Sequence, residues 1–172
     1  MHDARTANLL GATVLALSDQ LLAGATRSVG VSASAAAALV VLSNSTGLSV
    51  TELGRRVGLS QPAAARMVDS LEADGLVERH RSRSRWVTVS LTRTGRRSAR
   101  RLLSARGGPL TDVIADLEPQ EREALSDLLS KLLTRLYGEI GSSELICRLC
   151  DRAACTTEAT CPVGAAERAA SR

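Results

Sequence analysis

The chain has 172 residues, 44% of them hydrophobic and 23% charged, enough apolar mass for one packed domain or a domain with a tail. Aromatic residues make up 1% and Phe is absent, so the core has to be Leu, Val and Ala, and an aromatic base-stacking surface for single-stranded nucleic acid is excluded. The net charge is +4 and the basic residues are nearly all Arg, which favours a polyanionic partner, although a GC-rich genome produces the same Arg and Ala bias.

The N-terminus lacks a basic segment leading into an apolar run and a cleavage site, so no signal peptide is expected. No stretch approaches about 18 uninterrupted apolar residues, so no membrane span is expected and a cytoplasmic location follows. All four cysteines lie in the last 26 residues. In a cytoplasmic protein that pattern points to metal or redox chemistry rather than to structural disulfides.

In chain order, Leu10, Val14, Leu17 and Leu21 recur at helical spacing and predict a first helix over about residues 4–27. Gly30 and the serines around it break it. A second helix is predicted over about 34–43, with Ala38, Leu39 and Leu42 inward. Asn44 to Gly47 form a turn.

Ser49 and Glu52 then have the spacing of a capping box, with Leu48 and Leu53 as its hydrophobic staple. A short helix is predicted from Val50, ended by Gly58. Ser60 is the next N-cap, and Pro62 sits in the first turn, where its missing N–H is harmless. This next helix runs to about Asp74 and stops at Gly75. Two short helices joined by a tight Gly-containing turn make a helix-turn-helix. In the second of them Ala64, Met67, Val68 and Leu71 share one face and predict the core side. Gln61, Ala63, Ala65, Arg66 and Ser70 are left facing outward.

A hairpin follows, with strands over 76–80 and 86–91, in which Val87 and Val89 alternate with Thr88 and Ser90. Arg81, Arg83 and Arg85 alternate with serines between the strands. Trp86 reads as a packing residue at the hairpin base. From Arg79 to Arg106 there are ten Arg and no acid, an arrangement that suits an anion facing it.

The run TELGRRVGLSQPAAARMVDSLEADGLVER, followed by VTVSLTRTGRR, resembles the MarR (multiple antibiotic resistance regulator) family of bacterial transcription factors. The resemblance covers roughly residues 7–137. It implies a mainly α, winged helix-turn-helix fold whose N- and C-terminal helices form a dimerisation region. It also implies regulation by a small ligand or by oxidation. The implied organisation is a helical dimerisation region over 1–30 and 109–140, a DNA-binding region over 31–108 and a cysteine-containing tail over 141–172.

By that resemblance the helix end carrying Ser60, Gln61, Pro62, Ala63, Ala65, Arg66 and Ser70 enters a major groove. Gln61 suits adenine, and Arg66 suits guanine or a phosphate. Family members often carry hydroxyl residues where this chain has Ala63 and Ala65. The wing is shorter than is usual in the family and lacks its acid, so any of Arg81, Arg83 or Arg85 could take a minor-groove role.

Thr92 opens a long helix that is expected to kink or break at Gly107-Gly108-Pro109. Pro119 opens another, in which Leu125, Leu128, Leu129, Leu132, Leu133 and Leu136 keep helical period. That stripe reads, with the first helix, as a dimer interface or else as an intramolecular core. Residues 138–143 read as a linker.

The tail carries Cys147, Cys150, Cys155 and Cys161 with spacing C-x2-C-x4-C-x5-C. Four thiols in so short a span suit zinc, whose structural sites are closed tetrahedra of Cys and His. An iron–sulfur cluster also takes four thiolates, at other common spacings. Arg148 and Arg152 beside the thiols favour thiolate, which serves metal binding or oxidation equally. A thiol switch and an inert tail are the other readings.

His2 and His80 are isolated and no phosphate-cradling Gly loop occurs, so no enzyme is expected. The reading is a homodimeric regulator, a repressor, on palindromic double-stranded DNA. The rivals are a winged-helix module for protein partners and a metal- or thiol-centred sensor.

Overall fold

The structure is a computed structural model that describes residues 2–81 and 87–171. Nine helices and one hairpin follow in order among the described residues: α1 (His2–Val29), α2 (Ala33–Ser43), α3 (Val50–Val57), α4 (Gln61–Ala73), β1 (Val77–Arg81), β2 (Val87–Leu91), α5 (Arg93–Ala115), α6 (Pro119–Ile140), α7 (Ser143–Ile146), α8 (Arg152–Thr156) and α9 (Pro162–Ala170). The expected mainly helical winged helix-turn-helix is present.

The core is built around α2, which α1, α3, α4, α5 and β2 all contact. Three inward residues were expected on α2. Instead Ala35 through Val40 and Leu42 are all buried. A helix apolar on every side has no preferred face, so it fits only where neighbours surround it. Leu39 is fully enclosed, and its truncation to Ala would cost about 2–5 kcal/mol.

The hairpin pairs antiparallel, Val77 with Leu91 and Arg81 with Val87. Its first strand begins one residue later than expected. Leu48, expected only as a staple, also bridges to Val89 through two backbone hydrogen bonds, of 3.1 and 2.7 Å. The wing base is therefore tied to the start of α3. Trp86 lies outside the described residues.

Helix α5 runs unbroken through Gly107, Gly108 and Pro109 to Ala115, against the expected break. Pro109 has no N–H to give the Ala105 carbonyl one turn earlier. Helix α1 comes close at that point: a Cβ on Gly24 would lie 3.2 Å from the Ala105 oxygen. Packing by α1 along α5 offsets the lost bond.

Only part of α1 is covered. Leu17 and Leu21 are half-buried, whereas Leu9, Leu10, Val14 and Leu15 are exposed. By length and composition alone α1 could cross a membrane, a feature that the search for an uninterrupted apolar run missed. Helix α6 is likewise bare, with no buried residue and with Leu128, Leu129, Leu132, Leu136 and Ile140 exposed. It packs chiefly on α9 and, less, on α7.

Candidate nucleic-acid interface

Ser49 caps α3 by accepting the Glu52 N–H at 3.1 Å, and Gly58 ends α3 in the left-handed region at φ 75°. The reciprocal half of the expected capping box is not made. The Glu52 carboxylate turns instead to Arg55, at 2.8 and 2.9 Å, and to Arg56, at 2.7 Å. Those two guanidiniums hold its pKa down at about 2. Glu144 of α7 reaches the same pair, 2.8 Å from Arg55 and 3.3 Å from Arg56.

The α3–α4 crossing is tight. A Cβ on Gly54 would fall 2.7 Å from that of Ala64. Ser60 stands at the N-cap of α4 without a side-chain capping bond, and Pro62 is in the first turn. Ala64, Met67, Val68 and Leu71 are buried as expected. Their burial fixes the rotation of α4. Ser60, Gln61, Pro62, Arg66 and Ser70 are exposed, and Ala63 and Ala65 are half-buried. The exposed group lies along the N-terminal half of α4.

The wing is braced against this helix by Arg79. It pairs with Asp69 at 2.6 Å and with Glu72, both on α4. The hydrogen bond to Asp69, foremost, raises the Arg79 pKa. The arginine run is thus not uniformly free. The acids that neutralise its first member come from α4, ten and seven positions upstream. Arg81 is exposed at the end of β1, and Arg83 and Arg85 lie outside the described residues. Arg93, Arg96, Arg97, Arg100 and Arg101 are exposed on α5.

Thr92 joins wing, helix and turn. It accepts the Gly95 N–H at 3.0 Å and donates its hydroxyl to the Gly75 carbonyl at 2.7 Å.

The tail is not joined by the expected 138–143 linker. Helix α6 continues to Ile140, and Ser142 already caps α7. All four cysteines are half-buried free thiols. A hydrogen bond from Cys147 lowers the Cys150 pKa to about 6, against the effect of burial and with help from Arg106, Arg152 and Arg148. The same bond, with burial, raises that of Cys147. Burial foremost raises that of Cys155, beside Cys161. Arg106 was not singled out in the sequence, because it stands far upstream of the thiols it reaches.

A helix-turn-helix with one face locked in the core, followed by a braced two-stranded wing, defines a winged-helix protein. The model of the MarR family matches residues 29–85. Over 111 residues the chain is 36% identical to the HTH-type transcriptional regulator TtmR of Methylorubrum extorquens (strain PA1), covering 62% of this chain and 55% of that protein. It therefore spans about half the length of that relative. A MarR-family transcriptional regulator from Silicibacter pomeroyi is 30% identical, with 69% of this chain and 84% of that one covered and a TM-score of 0.54. The YusO protein of Bacillus subtilis shares the fold at 22% identity, with 77% and 96% covered and a TM-score of 0.68. The chain belongs to the MarR family of transcriptional regulators.

Proposed function

We propose that the chain binds double-stranded DNA sequence-specifically as a homodimer and represses transcription by occluding a palindromic operator. The observation that carries this reading is the exposure of Gln61, Arg66 and Ser70 on a helix whose opposite face is buried. Such a helix end fits a major groove, where Gln can pair with adenine and Arg with guanine. Arg81 and its neighbours Arg83 and Arg85 serve the adjacent backbone or minor groove. The exposed Leu and Val of α1 and α6 supply the surface through which two copies pair. Two recognition helices about 34–36 Å apart would then match half-sites one turn apart. A cytoplasmic location and control by a small effector go with this reading.

The test is a gel-shift titration over a salt series. Binding through several phosphates should weaken steeply as salt rises. Arg66→Ala should cost about 1–3 kcal/mol on the specific duplex if it reads a base, and relax preference at one position. Equal losses on specific and random duplexes would reduce Arg66 to a phosphate contact. Salt-independent binding would favour the rival protein-interaction module.

A further inference from the structure

The C-terminal helices do not build a core of their own. Beyond Gly141, only Ser143 and Val163 are buried among the described residues. Helices α7 and α8 have four and five residues, far below the length at which a helix supports itself. Glu158, between α8 and α9, takes a left-handed φ of 56° without being Gly. The segment docks through Leu149 against the core and Leu145 against Gly58. A lobe with so little apolar burial calls for a staple.

It does bring every thiol of the chain together. Cys147, at the end of α7, hydrogen-bonds to Cys150, and the intervening turn closes with the Cys150 N–H donated to the Cys147 carbonyl at 2.9 Å. Cys155 on α8 hydrogen-bonds to Cys161 at the start of α9. Each pair lies within electrostatic reach of the other. Arg106 stands beside both pairs, near Cys150 and Cys155. Its Nε is a buried donor with no hydrogen-bond partner among the described residues. A donor buried without an acceptor is unfavourable, and a metal-bound thiolate sulfur is an acceptor of the right kind at that place.

We propose that Cys147, Cys150, Cys155 and Cys161 are the ligands of one tetrahedral zinc site, with Arg106 donating to a ligand sulfur. Four thiolates around Zn2+ leave two net negative charges, and Arg106, Arg148 and Arg152 lie close enough to offset them. Each thiol releases its proton to solvent as its Zn–S bond forms, so no oxidant is needed. Among the described residues no group of three or more metal-ligating side chains is already assembled. The two thiol pairs therefore close on one another as the ion binds. Since α7 packs on α3 and α9 on α6, that closure ties α6 to the helix-turn-helix. Neither the site nor its test depends on the DNA reading.

The test uses the full chain under reducing conditions, with Zn2+ titrated against a chromophoric chelator and thiols counted by alkylation. The expected result is about one zinc per chain and protection of the cysteine thiols on loading. Arg106→Gln keeps all four ligands and should retain that stoichiometry while weakening affinity about 10–100-fold. Cys150→Ser should weaken it at least as much. Should that variant disturb the lobe, Co2+ bound to the unaltered chain decides, through the charge-transfer intensity expected of four sulfurs. Zinc absent with four alkylatable thiols, iron recovered with acid-labile sulfide, or two disulfides under these conditions would each overturn the proposal. So would an Arg106→Gln affinity equal to that of the unaltered chain, for the part assigned to Arg106.

Discussion

Glu144 Oε2 lies 2.8 Å from Arg55 Nη1, although the two residues are 89 positions apart. The same carboxylate meets Arg56, and Glu52 holds both arginines from the other side. Two adjacent guanidiniums are thereby shared between two carboxylates on α3 and α7. Glu144→Gln keeps the shape and removes the charge. Amide exchange in residues 143–149 is expected to speed up, with α2 unaffected. An unchanged profile would assign the docking of α7 to Leu145 and Leu149 alone.

The approach of α5 to the wing rests on a missing side chain. An added Cβ at Gly95 would lie 1.9 Å from the Leu76 carbonyl oxygen, which is backbone and cannot step aside. Gly95→Ala is expected to destabilise by about 1–3 kcal/mol in urea unfolding. Gly107→Ala is the control, since nothing lies within 4 Å of its added methyl inside the same helix. It is expected to stabilise by about 0.5–1 kcal/mol. Equal effects of the two changes would sink the steric argument.

Glu52 gives a pH dependence with a definite sign. Its folded pKa is about 2, against 4.5 without partners. A carboxyl depressed in this way adds stability above about pH 4.5 and loses it as the pH falls through 2. The unaltered chain should therefore lose stability across that window more steeply than Glu52→Gln. Parallel stability curves would assign acid sensitivity to other carboxylates.

Leu128 and Leu132 are 56% and 42% exposed on α6, a poor place for Leu in a lone subunit. Replacing both with Glu should convert a dimer to monomer in sedimentation and leave the helical content unchanged. A monomeric unaltered chain would remove the pairing step from the proposed function.

The elements that were legible in the sequence are those with local signals. Ser49, Gly58, Pro62 and the spacing of Ala64, Met67, Val68 and Leu71 each act within one or two turns, and their reading matches the structure. The enclosure of α2 was hidden because uniform apolarity carries no direction. The Gly-Gly-Pro segment misled because what sustains the helix there is another helix, at Gly24. Pairing of Arg79 with Asp69 and Glu72, and of Glu144 with Arg55, depends on how distant elements are placed. Of the candidate interface, the exposed side of α4 could be read from periodicity, whereas the position of Arg106 beside the thiols could not.

Because Pro109 does not divide it, α5 is a single shaft of 23 residues, about 35 Å long. One end is wedged under the wing at Gly95, and the other carries Val113 and Ile114 into the open. With no hinge midway, a tilt imposed at the far end is delivered to the wing. About 5° over that length displaces the opposite end by roughly 3 Å, enough to seat or unseat a side chain in a groove.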